Sequence, residues 1–172
     1  SKTFQDLIAQ NYCNIYKMDI VITRMFTYLN ARRQNLFASA FTYQILKFMR
    51  SPNKNHVLRH GNLNSLRTLL DIRDAMEAYW LAATKGRKGE IYNICGEIII
   101  SVRSFLNKII KLSQLKVIKK LDKKLLRPND IAIQLADCSK FKRHTGWKPK
   151  INLDKTIKFF FEECKRKYKN KI

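Results

Sequence analysis

The sequence has few cysteines and no pattern that would pair them. Four cysteines are scattered through 172 residues without a C-x-x-C pair, at positions 13, 95, 138 and 164. The three histidines, His56, His60 and His144, show no metal-ligand spacing with them. We therefore expect no disulfide framework and no metal site. Free thiols indicate a reducing compartment, in which the cysteines serve as small core residues.

Long apolar segments are also absent. No apolar run reaches the roughly 18 residues that a membrane-spanning helix needs. Residues 1–5 include neither an apolar signal core nor an initiator methionine. We expect no membrane association, and we expect a cytoplasmic protein.

Acidic residues are scarce: 13 of them stand against 35 lysines and arginines, which gives a formal net charge of +22. Such a charge is typical of nucleic-acid-binding proteins. Here, however, the basic residues are spread from Lys2 to Lys171, and no zinc-finger, RNP or helix-turn-helix pattern accompanies them. Nucleic acid is therefore not the expected partner. A basic, non-catalytic nucleic-acid-binding protein stays a distant alternative, and part of the charge can serve an anionic ligand.

The residues that are abundant predict a folded α/β domain. Hydrophobic residues make up 45% of the chain, enough to argue against disorder. Apolar residues alternate between helical periodicity and short β-branched runs, which favours a parallel sheet. We predict helices over residues 3–16, 37–49, 71–84, 101–112, 139–145 and 154–169, and strands over residues 19–26, 57–59, 90–94 and 116–121.

The order of these elements is unusual for a doubly wound sheet. Such a sheet is expected to begin with a strand and a glycine-rich phosphate turn. This chain begins with a helix and contains no G-x-G-x-x-G motif. We therefore expect the opening half of the fold to be missing, and with it the strands that would cover residues 20–26 and 91–94.

Seven short motifs, in one order and spacing, make this arrangement recognisable. Together they resemble the middle and C-terminal part of extended short-chain dehydrogenases, and most closely the GDP-mannose 4,6-dehydratase branch with its related GDP-4-keto-6-deoxymannose reductases. The motifs are Thr23-Arg24-Met25-Phe26, Asn30-Ala31-Arg32-Arg33, Gly61-Asn62-Leu63 with Arg67, Asp71-Ile72-Arg73-Asp74, Gly89-Glu90-Ile91-Tyr92-Asn93-Ile94, Arg127-Pro128-Asn129-Asp130 and Thr145-Gly146-Trp147-Lys148-Pro149.

The resemblance implies a catalytic lysine and a nicotinamide cofactor, NADP or NAD. Lys2 matches the lysine of the family's Y-x-x-x-K signature, in which the ammonium lowers the pKa of the tyrosine phenol. The matching tyrosine would lie two residues before Ser1. Tyr28 and Arg33 match a histidine and an arginine that contact the cofactor.

The resemblance further implies a site for a GDP-sugar. Arg67 and Arg127 match the arginines that hold the sugar-nucleotide diphosphate, and Asp130 matches the acid that reaches the ribose hydroxyls. Thr27 stands where the family has a substrate-contacting asparagine. Phe41 replaces a substrate-contacting lysine.

The implied architecture is the C-terminal portion of a Rossmann-like extended short-chain dehydrogenase, with a partial parallel sheet and a small α/β substrate-binding domain. Residues 1–28 and 68–100 would belong to the cofactor-binding domain, and residues 29–67 and 101–172 to the nucleotide-sugar domain. The implied reaction is dehydration of GDP-mannose to GDP-4-keto-6-deoxymannose, by an intact enzyme that is a homo-oligomer. A GDP-4-keto-6-deoxy-sugar reductase or a nucleotide-sugar epimerase stays open. Without the missing half we expect the chain to be inactive.

Four residues near these motifs are expected to pack rather than react. Trp147 and Pro149 follow the Thr145-Gly146 turn, and Tyr79 and Trp80 lie on the predicted helix 71–84. We expect all four to belong to the core.

Overall fold

The structure is a computed structural model that describes residues 1–34, 36–52 and 55–169. The predicted helices are all present in this part of the chain, and their ends differ from the prediction by at most one residue. They are α1 (Lys2–Ile15), α2 (Phe37–Phe48), α3 (Ile72–Lys85), α4 (Val102–Ser113), α5 (Ser139–Thr145) and α6 (Leu153–Lys169).

The strands are shorter and more numerous than predicted. The predicted strand over residues 19–26 is confirmed only at its centre, whereas the one at 57–59 extends by a residue at each end. The strands are β1 (Ile22–Met25), β2 (Tyr28–Leu29), β3 (His56–His60), β4 (Leu66–Thr68), β5 (Leu70–Asp71), β6 (Ile91–Ile94), β7 (Ile99–Ser101), β8 (Val117–Leu121) and β9 (Ile133–Gln134).

The strand pairs confirm the expected parallel sheet. Strand β1 pairs with β6, β2 with β5, β3 with β8 and β4 with β9, all in parallel. Only β7 runs antiparallel to its neighbour, β4, among the described strands. Parallel neighbours need crossover connections, and helices supply several of them, as in α/β folds.

Two separate hydrophobic cores hold these elements together. The larger core lies between α2, α4 and α6, and the smaller core lies between α3, α5 and the β1–β6 pair. Several large side chains have 0% exposure in each core. They include Phe105, Ile45 and Ile109 in the larger core, and Tyr92, Phe141 and Ile94 in the smaller core.

Helix α1 turns its apolar face away from the rest of the chain. The side chains of Phe4, Leu7 and Ile15 are 66%, 55% and 67% exposed, whereas Cys13, on the opposite side of the helix, is buried. An ion pair between Asp6 and Arg24 joins that opposite side to β1. The helix therefore docks through its polar and small residues, and its largest apolar surface is left open.

Helix α3, like α1, packs through small side chains and exposes larger ones. It packs through the small side chains of Ala75, Ala78 and Ala82, which are buried. Trp80 lies away from this alanine face and is 69% exposed, and Tyr79 is 38% exposed. The prediction that Trp80 belongs to the core is wrong, because α3 packs through its alanine face and Trp80 lies on the other side of the helix. Trp147, by contrast, is buried as predicted, at 2% exposure.

A buried carboxylate fixes the start of α3. Asp71 is 1% exposed and caps the helix by accepting a hydrogen bond of 2.9 Å from the backbone N–H of Arg73. Its two carboxylate oxygens also accept from the Arg73 guanidinium, at 2.9 Å each. Burial raises the pKa of Asp71, but the bonds from Arg73 and from Thr156 on α6 outweigh it, so the pKa lies below its usual value.

We expect Asp71→Asn to lower the free energy of unfolding at pH 7 by about 1–3 kcal/mol, because a charge-assisted pair is lost at a buried site. A carboxylate whose folded pKa is depressed stabilises the fold above its unfolded pKa of about 4, and this contribution is lost as the pH falls through the folded pKa. The deficit of the variant should therefore shrink toward pH 2. Urea unfolding at both pH values measures it.

The matched control is Asp154→Asn, which also removes an ion-paired carboxylate. Asp154 is 79% exposed and pairs with Lys108 at 2.6 Å. Its replacement should change stability by less than about 0.5 kcal/mol. Equal effects of the two variants, or a deficit at Asp71 that does not depend on pH, would contradict the assignment.

Candidate functional site

The arginine of β4 lies beside the acid of the 127–130 loop. The Arg67 side chain is 12% exposed, and its Nη2 atom is 3.8 Å from Asp130 Oδ1. Its Nη1 atom donates to the Leu66 carbonyl at 2.8 Å, which holds the guanidinium against its own strand. Strand β9, which follows the loop that contains Asp130, pairs in parallel with β4 and places Ile133 opposite Leu66. Two residues 63 positions apart in the sequence therefore meet beside the β4–β9 pair.

Asp130 is fixed by two further side chains that the sequence did not single out for a site. Its Oδ2 atom accepts hydrogen bonds from Asn62 Nδ2 at 2.8 Å and from Ser65 Oγ at 2.9 Å. Asn62 also orders the turn before β4, because its Oδ1 accepts from the Asn64 N–H at 2.9 Å. The G-N-L-N turn was recognised as part of a motif, but nothing in its spacing shows that Asn62 reaches the distant loop.

The surroundings of Asp130 favour its charged form. Burial raises its pKa, but the hydrogen bonds from Ser65 and Asn62 and the charges of Arg67 and Arg127 together hold the pKa below its usual value. Arg127 itself lies exposed in the loop. We call these five residues the Arg67–Asp130 cluster: Asn62, Ser65, Arg67, Arg127 and Asp130.

Thr27 connects to this cluster through β9. It follows β1 and donates from Oγ1 to Gln134 Oε1 at 3.4 Å. Gln134 is the register partner of Arg67 in the β4–β9 pair, so the two side chains project to the same face. The hydroxyl of Thr27 and the guanidinium of Arg67 therefore border one surface.

Tyr28 and Arg33 form a second group. Both act on the half-buried phenol of Tyr79: burial raises the pKa of Tyr79, the neighbouring Tyr28 raises it further, and the charge of Arg33 lowers it. Arg33 lies in the turn after β2, where its backbone N–H donates to the Asn30 carbonyl at 3.1 Å. Tyr28 and Arg33 thus both influence the phenol of Tyr79, a residue that the sequence had assigned only to packing.

Lys2 lies apart from both groups. It begins α1, and its Nζ donates to Gln5 Oε1 at 3.0 Å. Among the described residues it makes no hydrogen bond or ion pair with the other six predicted site residues. The Asp6–Arg24 pair joins α1 to β1, one turn after Lys2.

The surface carried by these residues is open. Two clefts, of about 250 and 400 Å³, are lined by other residues, including Glu97, Pro149 and Asn152 in one and Arg73, Lys158 and Phe159 in the other. No group of three metal-ligating side chains occurs in the described residues. Nor do those residues include a helix long and apolar enough to cross a membrane.

Chemically, the Arg67–Asp130 cluster is suited to a ligand that is anionic at one end and hydroxylated at the other. Two guanidinium groups can donate several charge-assisted hydrogen bonds to phosphate oxygens. The carboxylate of Asp130 accepts from neutral donors and can equally accept from hydroxyl groups.

Comparison of the sequence with known proteins identifies the family of this chain. The model of the GDP-mannose 4,6 dehydratase family matches residues 1–160. Among curated proteins, the GDP-6-deoxy-D-mannose reductase of Pseudomonas aeruginosa is 20% identical over 139 residues, which cover 81% of this chain and 46% of the reductase. The chain spans about half the length of the curated relatives that it matches.

Solved structures show the same fold. The RMD structure from Pseudomonas aeruginosa in complex with NADPH superposes with a TM-score of 0.86 at 17% identity, over 96% of this chain and 55% of that one. The UDP-glucuronic acid 4-epimerase of Bacillus cereus, solved with NAD, gives 0.85 at 22% identity, over 97% and 52%. These matches confirm the α/β fold of extended short-chain dehydrogenases, and with the family model they show that this chain belongs to the GDP-mannose 4,6 dehydratase family.

Proposed function

We propose that this chain is the nucleotide-sugar-binding part of an NAD(P)-dependent GDP-mannose 4,6-dehydratase, which converts GDP-mannose to GDP-4-keto-6-deoxymannose. The observation that carries the proposal is the contact of Arg67 with Asp130, in the loop that also contains Arg127, in a chain whose family model spans residues 1–160. Two guanidinium groups supply the positive charge for a diphosphate, and the carboxylate beside them suits a ribose hydroxyl. Thr27, joined to the same face through Gln134, would contact the sugar.

We further propose that two units divide the chain, with residues 1–28 and 68–100 serving the cofactor and residues 29–67 and 101–172 serving the substrate. The two cores support this division. The chain passes from the smaller core to the larger one between Tyr28, which packs against the smaller core, and Leu29, which belongs to the larger core. It passes back between Leu69, in the larger core, and Leu70, in the smaller core. Cys138, Phe141 and Trp147 also pack in the smaller core, so α5 joins the cofactor unit in space.

A nicotinamide cofactor fits the second group of residues. Arg33 places a guanidinium near the phenols of Tyr28 and Tyr79, which offers a charge for a phosphate beside aromatic surface. When bound, the cofactor would supply the hydride acceptor for oxidation of the sugar. Related structures contain NADPH in one protein and NAD in another. NADP is our choice by resemblance to the dehydratases.

Lys2 is proposed as the lysine of the catalytic pair. Lys2 is the first residue of α1, and the ion pair between Asp6 and Arg24 joins this helix to β1. The ammonium of Lys2 would lower the pKa of a tyrosine phenol one helical turn earlier, in a preceding segment. The phenolate formed in this way can take a proton from the sugar hydroxyl. The open apolar face of α1 supports contact with further protein, either the remaining half of the fold or a second subunit of a homo-oligomer.

One specific observation favours the alternative reaction. The Pseudomonas aeruginosa relative is a GDP-6-deoxy-D-mannose reductase, and the RMD structure from the same organism superposes with a TM-score of 0.86. A reductase would use the same diphosphate-binding arginines and reduce a 4-keto sugar. A cytoplasmic location, for either reaction, is supported by four buried cysteines that are all free thiols.

The experiment that tests the proposal is a binding titration of the 172-residue chain with GDP-mannose, dTDP-glucose and UDP-glucose, followed by an assay for a 4-keto product with NADP present. We expect measurable binding, with preference for the guanine nucleotide, and no turnover by the chain alone. Turnover without any other polypeptide would contradict the assignment as a binding part. Binding of dTDP- or UDP-sugars in preference would overturn the choice of substrate.

A further inference from the structure

The larger of the two clefts lies between the start of α3 and one face of α6. Its volume is about 400 Å³, which is within the range of pockets that hold small ligands. The residues at positions 155, 158, 159 and 162 follow helical three-and-four spacing and therefore share one face of α6. The complete lining consists of Arg73, Ile151, Lys155, Lys158, Phe159 and Glu162, none of which has been assigned above to substrate or cofactor.

Arg73 is held in one orientation at the edge of this cleft. Its Nε and Nη2 atoms donate to the two carboxylate oxygens of Asp71 at 2.9 Å each, and Asp71 is 1% exposed. The guanidinium carbon also lies 4.1 Å from the centre of the Phe159 ring, so one face of the guanidinium stacks on α6. The Arg73 side chain is nevertheless 50% exposed. Arg73 is therefore an oriented group that still presents part of its surface to solvent.

The contacts of Arg73 leave both donors and a flat surface for a ligand. A guanidinium has about five N–H groups, and the side-chain bonds to Asp71 use only those of Nε and Nη2. In the part of the chain that the structure describes, no hydrogen bond involves the Nη1 atom of Arg73. The guanidinium face opposite Phe159 can stack on a planar ring, as arginine does with aromatic groups.

Two lysines supply positive charge beside this arginine. Lys155 and Lys158 are exposed on α6, and neither ammonium forms an ion pair or a hydrogen bond with a described residue. Glu162, the acidic residue of the lining, lies 3.9 Å from Lys165, outside the cleft. The cleft therefore combines an apolar surface, from Ile151 and the Phe159 ring, with ammonium groups that have no protein counter-ion among these residues.

We propose that this cleft binds a small anion that carries a phosphate group on a planar ring, as an aryl phosphate or a nucleotide does. The ring stacks on the open face of Arg73, and the phosphate accepts hydrogen bonds from Lys155 and Lys158. Inorganic phosphate uses only the cationic part of the cleft. Because the lining residues lie outside the Arg67–Asp130 cluster and the Tyr28–Arg33 group, this inference does not depend on the proposed function.

The test titrates the folded 172-residue chain with phenyl phosphate, guanosine monophosphate and inorganic phosphate at pH 7, and follows the backbone amide signals by NMR. We expect the two ring-bearing probes to bind at least about tenfold more tightly than inorganic phosphate, because only they offer a ring to Arg73. The amide signals that shift should include those of residue 73 and residues 151–162. Either order of affinity between the two ring-bearing probes supports the site, and the order shows whether a simple aryl group or a nucleoside fits it better.

A matched pair of lysine variants separates a site from diffuse charge. Lys158→Ala should weaken the binding of phenyl phosphate about tenfold, because a charge-assisted contact with the phosphate is lost. Lys169→Ala removes the same charge from an exposed position near the end of α6, and it should change the affinity by less than about twofold.

Two further variants test the role of the oriented guanidinium. Arg73→Lys keeps the positive charge but loses the flat surface, so it should remove the preference for phenyl phosphate over inorganic phosphate. Because Arg73 also pairs with Asp71, circular dichroism must show that this variant folds. Phe159→Leu keeps an apolar side chain and the arginine but removes the ring on which the guanidinium stacks, and it should reduce the same preference.

Three results would overturn the proposal. Equal losses in the Lys158 and Lys169 variants would show that phosphates respond only to the net charge of +22. The other two are equal affinities for phenyl phosphate and inorganic phosphate, and phenyl phosphate shifts centred on the Arg67–Asp130 cluster in place of α6. Arg127→Ala, which tests the proposed substrate site, should leave the binding of phenyl phosphate within about twofold, so that failure of one assignment is distinguishable from failure of the other.

Discussion

Replacement of Trp147 by alanine is expected to lower the free energy of unfolding by about 3–5 kcal/mol, a large part of the stability of a domain this size. Trp147 is 2% exposed in the smaller core, and its ring lies 5.5 Å from that of Phe141. Its indole Nε1 also donates to the Asp74 carbonyl at 3.2 Å, which links the turn after α5 to α3. The variant loses the buried ring and leaves that carbonyl without its donor. Urea unfolding, followed by circular dichroism, measures the loss.

The chain contains its own control for this experiment, since its other tryptophan is exposed. Trp80 is 69% exposed on α3, and the same replacement there should change the free energy of unfolding by less than about 0.5 kcal/mol. If Trp80→Ala destabilised the protein as strongly as Trp147→Ala, the face by which α3 packs would be wrongly assigned. If Trp147→Ala cost less than about 1 kcal/mol, the smaller core would not depend on this residue.

The contrast between the two tryptophans also shows what the sequence could predict. Periodicity located the helices within one residue, because it depends only on local spacing. It could not show which face of a helix packs. Helices α1 and α3 both dock through small residues, Cys13 in one and three alanines in the other, and expose larger apolar side chains. An apolar stripe predicts that a helix is amphipathic, but it does not show whether the stripe packs against the same chain or remains exposed.

Short strands were the elements that the sequence missed. Strands β2, β5 and β9 have two residues each, and β4 and β7 have three, too few to show an alternating pattern. Their pairing depends on contacts between distant segments. Gly96, for example, lies after β6, and a Cβ there would lie 2.1 Å from the carbonyl oxygen of Leu69, so only glycine allows these two connecting segments to approach.

The candidate site was partly predictable for a related reason. Arg67, Arg127 and Asp130 carried a recognisable motif context, and the structure places Arg67 against the loop that contains the other two. Asn62 and Ser65, which hold Asp130 in place, carried no chemical signal of their own, because their role appears only when β4 meets the 127–130 loop. Supporting residues of this kind are visible in three dimensions only.

Replacement of Arg127 by alanine is expected to weaken the binding of GDP-mannose about 10- to 100-fold, which corresponds to the loss of a charge-assisted contact with a phosphate. Arg127 is the better test of the two arginines. Arg67 is held by the Leu66 carbonyl and by Asp130 at the sheet edge, so its loss could disturb β4 itself. Arg127 is exposed in its loop, and its removal should leave the stability of the fold within about 0.5 kcal/mol. Calorimetric titration with GDP-mannose and with GDP measures the change, which should be similar for both ligands if the diphosphate is the group recognised.

The decisive comparison is with Arg143→Ala, which removes the same charge from an exposed position on α5. In a chain of net charge +22, any anion gains from the overall positive field, and both variants reduce that field equally. A specific site requires that Arg143→Ala change the affinity by less than about twofold while Arg127→Ala weakens it tenfold or more. Equal losses in the two variants, combined with an affinity for GDP-mannose that falls steeply with salt, would show that the arginines act only as diffuse charge, and would favour the basic, non-catalytic alternative.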